Sequence, residues 1–162
     1  MASCTILEGS AHKMSADADT TIKMTLYRLI AETGRVPDAG EVAAASRFSE
    51  ADVLSSFTRL HARRLLVPEP GDPRRIRMAP PFSGIPTAFP VDAMGKRYYA
   101  NCVWDAYGIP AALHADAVIP ASDAVTGELL TLEVRGGEPV PLPYLAHFAV
   151  PAARWWEDIV YT

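Results

Sequence analysis

Apolar residues recur at helical spacing over residues 21–33. Ile22, Leu26, Leu29 and Ile30 fall three and four apart, with Met24 and Tyr27 beside them, and Gly34 follows as a stop. The spacing predicts a helix. Residues 41–46 read as a short alanine-rich helix after Val36-Pro37-Asp38, and Ser49 is placed as the N-cap of a third helix reaching about Leu66. On that helix Val53, Leu54, Phe57, Leu60, Leu65 and Leu66 form the apolar stripe, while Glu50, Asp52, Ser56, Arg59, Arg63 and Arg64 face outward.

Two short extended runs, 66–68 and 75–78, flank the turn Glu69-Pro70-Gly71-Asp72-Pro73, and with the three helices they resemble a winged helix whose wing is that turn. Pro80, Pro81, Pro86 and Pro90 then make a stretch too proline-rich for a helix or a central strand. Residues 97–107 read as a helix closed by Gly108 and Pro110, with 111–114 as a further turn. Strands are expected at 117–119, 129–134 and 144–150, with Thr126-Gly127 and Gly136-Gly137 at turns, and the last twelve residues read as a short helix running into a strand. The expected organisation is a flexible leader over 1–20, a winged-helix-like helical domain over 21–80, a proline-rich linker or strap over 81–97, and a small mixed-sheet domain over 98–162. The fold class is α+β.

Composition narrows the function classes. The chain has 162 residues, 49% of them hydrophobic, enough for one domain or two small ones with a buried core. Fifteen basic against nineteen acidic side chains give a net charge of -4, so no global field draws the chain to nucleic acid or anionic lipid. No run reaches the roughly 18 apolar residues of a membrane span, and the first 20 residues lack the basic start and apolar core of an export signal. Two cysteines, Cys4 and Cys102, build neither a disulfide framework nor a cysteine-rich zinc site, which fits a reducing, cytoplasmic setting. His12, His61, His114 and His147 are scattered, so no structural metal is expected, and no organic cofactor is implied.

The chemistry is sought at Cys102 and Asp105. A thiol and a carboxyl spaced i to i+3 on a helix reach one bound atom. An ordinary thiol, with a pKa of about 8.5, is only slightly ionised at neutral pH and needs activation. A helix N-terminus near Asn101, or Lys96 and Arg97, would lower its pKa, while Tyr98, Tyr99, Trp104 and Tyr107 would desolvate Asp105 and keep it protonated as an acid. The same four aromatics are the expected walls of a pocket for a small apolar substrate. Read without further context, the spacing favours the plainer account, with Cys102 a buried small hydrophobe and Asp105 a solvated helix charge.

The order Tyr98-Tyr99-Ala100-Asn101-Cys102-Val103-Trp104-Asp105, then Pro110-Ala111, then Ser122-Asp123-Ala124-Val125-Thr126-Gly127-Glu128 before an apolar strand, resembles bacterial organomercurial (alkylmercury) lyase. The resemblance covers residues 20–162. It implies protonolysis of a carbon–mercury bond. Cys102 would capture the soft mercury, as substrate and product rather than as a resident metal, and Asp105 would take part in protonating the departing carbon. It further implies an organomercurial as the small-molecule partner and a small thiol as acceptor of mercuric ion. In the family a second catalytic cysteine follows a segment like residues 155–162. This sequence ends before such a residue and has only Cys4 besides, so a truncated or divergent member is expected. Asp123 stands where many members carry a non-catalytic cysteine.

The alternative class is a winged-helix DNA-binding regulator, with residues 49–64 as recognition helix and Arg59, Arg63, Arg64, Arg74, Arg75 and Arg77 as a basic patch. Glu50 and Asp52 sit where base contacts would be made, so DNA is not the expected partner. Exposed sheet edges would let two copies pair as a homodimer.

Overall fold

The structure, a computed structural model, describes residues 4–123 and 125–160, with side chains from residue 15 onward. Helix α1 spans Cys4–Thr33. Residues 4–20, expected as a leader, are the first part of this helix. They carry no apolar stripe for periodicity to detect, and polar contacts hold the described part instead. Asp19 is 3% exposed and receives Arg59 Nε at 3.1 Å and Nη2 at 2.7 Å. Thr20, Thr21 and Thr25 each turn their hydroxyl back onto the carbonyl four residues earlier.

Helix α2 (Ala39–Ala44) begins with a capping box between Asp38 and Glu41, and α3 (Glu50–Ala62) with one between Ser49 and Asp52. Helix α3 stops at Ala62 rather than Leu66, which frees Leu66 to turn inward and become fully buried. Ser56, expected outside, is buried as well. Strands β1 (Val67–Glu69), β2 (Asp72–Ala79) and β3 (Phe82–Ser83) then form an antiparallel sheet in chain order.

The second sheet is also antiparallel, in the order β5-β4-β6-β7-β8, from β4 (Pro90–Ala93), β5 (Lys96–Tyr99), β6 (Ala117–Ser122), β7 (Leu129–Arg135) and β8 (Glu138–Pro139). Residues 81–97 are therefore not a bare strap, because β3, β4 and the start of β5 lie within them. Proline is tolerated at the first position of a strand, and Pro90 takes that place in β4. The helix expected over 97–107 is displaced. Residues 96–99 pair with β4, and burial alternates with Tyr98 and Ala100 inward, the period of a strand. Helix α4 runs instead over Val103–Leu113. It passes through Gly108 and Pro110, which were expected to close it, because Ile109 and Pro110 are buried against the core. No strand forms over 144–150, and a turn of 3-10 helix spans Ala152–Glu157. Of the strand expected at the end of the chain, residues 161–162 lie outside the described residues.

One hydrophobic cluster joins these parts, running from Ile22, Leu26 and Ile30 through Phe57 and Leu60 to Phe82, Tyr98, Ile109 and Ile119. The Tyr98 hydroxyl donates to Ala31 O at 3.0 Å and so ties β5 to α1. The fold is α+β. Among the described residues, no helix is long and apolar enough to cross a membrane.

Candidate active site

The site is built where β5 hands over to α4. Ala100 N donates to Phe89 O at 2.9 Å, and Thr87 Oγ1 donates to Ala100 O at 2.5 Å, so the backbone is held just before it turns. Cys102 follows in extended conformation as the N-cap of α4, and Ala106 N closes the first helical hydrogen bond onto its carbonyl at 3.0 Å. Asp105 is then the third residue of the helix. Cys102 and Asp105 thus stand as N-cap and N3, the positions that Ser49 and Asp52 hold on α3, but without the side-chain cap hydrogen bond that is closed there. The i to i+3 spacing brings both to one cavity, but with the thiol ahead of the first turn rather than both groups on one helical face.

Both residues line a cavity of about 320 Å³. Asn101, Cys102, Trp104 and Asp105 come from the start of α4, Arg64, Met78 and Pro80 from the end of α3 and of β2, and Phe148, Trp155, Trp156 and Ile159 from the last segment. Trp155 is fixed there by its Nε1, which donates to Val150 O at 2.8 Å, and by Phe148 at a centroid distance of 5.4 Å. A larger, more open groove of about 650 Å³ lies beside the β4–β5 turn, between Asp92, Met94, Lys96 and Arg135. It contains no thiol. Chemistry rather than volume singles out the smaller cavity.

Burial raises the pKa of Asp105, and a 2.8 Å hydrogen bond from Asn101 Nδ2 to its Oδ2 offsets this only in part. Burial also raises Cys102. The backbone N–H groups of Asp105 and Trp104 act in the opposite sense, although no side-chain cap hydrogen bond is closed, and the charge of Asp105 pushes the thiol up further. The expectation of a thiol activated by the helix N-terminus, Lys96 or Arg97 is thus corrected. Desolvation outweighs the helix end, and Arg97 is held by Asp92 at 2.7 and 2.8 Å. Tyr27, whose hydroxyl donates to Pro80 O at 2.7 Å, is pushed up to about 12 by burial and by the nearby charge of Asp105. Burial thus disfavours the charged form of both groups.

Of the four aromatics expected as walls, only Trp104 lines the cavity. Tyr98 is 1% exposed in the core against Phe82, Tyr99 is half-buried on β5, and Tyr107 packs against the core. They were grouped by treating 97–107 as one helix, and the strand separates them. Arg64, Met78, Pro80, Asn101 and Phe148 join the site without being anticipated as its walls. Asn101 alone had a local signal, four residues before the carboxyl it holds. His114 caps the far end of α4, and Asp123 organises its own turn by accepting from Val125 N and Thr126 N. Among the described residues no cluster of His, Cys, Asp and Glu is arranged to hold a metal ion. The side chain of Cys4, considered above as a second thiol, lies outside the described residues.

A family model of alkylmercury lyase (MerB) matches residues 82–162, half of the chain. The chain belongs to the alkylmercury lyase family. The match to alkylmercury lyase takes in Cys102, Asp105 and the Phe148–Trp156 wall, while Arg64, Met78 and Pro80 precede it. Among solved structures, the chain is similar to a crystal structure of the mercury-bound form of MerB2, at 21% identity and a TM-score of 0.56. The alignment covers 78% of this chain and 66% of that one, so the chain spans just under two thirds of that relative's length, and the likeness supports the α+β fold. No curated protein matches the sequence.

Proposed function

We propose that the chain is an organomercurial-lyase-like protein that captures an organomercurial on Cys102 and cleaves its carbon–mercury bond by protonolysis, with Asp105 as the proton source. The observation that carries this reading is the placing of a thiol and a carboxyl, as N-cap and N3 of one helix, in one aromatic-walled cavity of an alkylmercury lyase family member.

The steps follow from the chemistry of the thiol and the carboxyl. An organomercurial arrives as a thiol adduct, and the Cys102 thiol exchanges with it, forming the Cys102–mercury bond and releasing the small thiol with the proton. Sulfur binds soft mercury strongly enough to displace a proton even from a thiol of raised pKa. Asp105, whose pKa burial raises, then gives its proton to the carbon from its protonated form. The electron pair of the carbon–mercury bond becomes the carbon–hydrogen bond, and the hydrocarbon leaves. Mercuric ion stays on the Cys102 sulfur, with the new Asp105 carboxylate offsetting its charge, until two solution thiolates remove it.

The same observations weigh against the DNA-binding alternative. Arg59 is committed to Asp19, Arg74 to Glu50 and Arg77 to Glu69, and the Arg64 guanidinium lies over Trp156. The first three guanidiniums face the protein's own acids rather than a phosphate backbone.

The deciding experiment incubates the 162-residue chain and its Cys102→Ser variant with phenylmercuric acetate in thiol buffer and measures benzene release. Release that disappears in the variant supports the reading. Equal release from both, or none from either, overturns it.

A further inference from the structure

Helix α3 ends in a strained conformation. Arg64 N donates to His61 O at 2.8 Å and Leu65 N to Leu60 O at 2.9 Å, and Arg64 itself adopts a left-handed backbone with φ 59. Glycine fills such a helix-terminating position most readily, because any Cβ there crowds the following carbonyl. Here the position carries a long cation, and that cation reaches the rim of the cavity holding Cys102 and Asp105.

At the rim the Arg64 guanidinium carbon lies 5.7 Å from the Trp156 ring centroid. Contact with an indole face orients the group without consuming its N–H donors, which form a fork suited to the two oxygens of a carboxylate. Arg59, Arg74 and Arg77 each have an acidic partner, whereas Arg64 has no ion pair among the described residues. Trp104, Phe148, Trp156 and Met78 supply flat and polarisable walls beside it, the surroundings an aromatic ring prefers. Asp105 is the acidic side chain lining the same cavity, and its burial disfavours the charge that would repel an anionic ligand.

We infer that Arg64 is a specificity-determining residue that favours arylmercurials bearing a carboxylate on the ring over neutral ones. This deepens, and rests on, the assignment of Cys102 and Asp105 made above.

The test uses two probes, phenylmercuric acetate and 4-(hydroxymercuri)benzoate, on the full chain and on Arg64→Gly and Arg64→Lys. Glycine relieves the left-handed backbone while removing the cation, so loss of folding does not cloud the result. The readout is the ratio of Cys102 loading rates for the carboxylated over the neutral probe, followed by mass spectrometry, which does not require turnover. Arg64→Gly is expected to lower that ratio about fivefold, the scale of one solvent-exposed charge pair, with Arg64→Lys recovering part of it and added salt shrinking the difference. A ratio unchanged within about twofold overturns the role of Arg64 alone. Failure of either probe to load Cys102 in the unmodified chain overturns the functional reading, and this inference with it.

Discussion

The side-chain amide of Asn101 donates to Asp105 Oδ2 at 2.8 Å, which commits that oxygen as an acceptor and leaves Oδ1 as the favoured seat of the acidic proton. Removing the donor in Asn101→Ala takes away an interaction that lowers the Asp105 pKa, so the pKa rises further. The alkaline limb of the pH–rate profile is expected to move to higher pH, and maximal turnover to fall about tenfold as the carboxyl loses its orientation. A variant profile with its limb at the original pH would assign Asn101 no part in tuning the acid.

Asp105→Asn leaves Cys102 in place but removes the proton donor. Capture of an arylmercurial is expected to survive while hydrocarbon release falls by about 10² to 10⁴. Mass spectrometry of the loaded chain beside gas-chromatographic product detection separates the two steps.

The same variant tests burial. Because the folded pKa of Asp105 is raised, its contribution to stability is fully present below the unfolded value of about 3.9 and is lost as pH rises through the folded value. Asp105→Asn is therefore expected to unfold at higher urea than the unmodified chain at neutral pH, with the gap closing toward pH values of about 4. Equal midpoints at neutral pH would mean that the carboxylate is better solvated than its position implies.

Asp19 presents the opposite sign. Burial pushes its pKa up, but the hydrogen bonds and charge of Arg59 outweigh this and hold it below the usual range. Its stabilisation is present above the ordinary aspartate pKa and is lost as pH falls through the lowered one. Asp19→Ala is expected to cost about 2 kcal/mol at neutral pH, below the full penalty for breaking a buried pair because Arg59 is partly exposed. A double-mutant cycle with Arg59→Ala, read by urea denaturation, isolates the pair.

Gly84 lies where β2 and the chain after β3 come together, with its N–H donating to Arg77 O at 2.8 Å. A Cβ there would fall 1.9 Å from Ile76 O, a backbone atom that cannot move without breaking the strand. Gly84→Ala is expected to destabilise the chain by about 2 kcal/mol or more, visible as a lowered thermal midpoint by circular dichroism.

What the sequence revealed depended on the range of the forces involved. Ser49 as an N-cap, Val53, Phe57 and Leu60 on the inner face of α3 and the strands at 117–119 and 129–134 are local patterns, and the structure has them, with the strands running on to Ser122 and Arg135. Cys102 and Asp105 were found by spacing, although the geometry joining them is that of a helix start. Residues 96–100 misled because an aromatic run with few β-branched residues reads as helix until its pairing with β4 and the Tyr98 bond to Ala31 O are known. Arg64 and Trp156 meet across more than ninety residues of chain, and no periodicity encodes that approach. The polar buried contact at Asp19 was invisible for the same reason.

The chain has three tryptophans, Trp104, Trp155 and Trp156, and all of them line the cavity that holds Cys102. Its indole fluorescence therefore originates in one place. A heavy atom seated on the sulfur would quench emission from neighbouring rings, and with no tryptophan elsewhere to supply a constant background, arrival and departure of mercury should modulate nearly the whole signal. The unmodified protein thus carries its own optical reporter of occupancy.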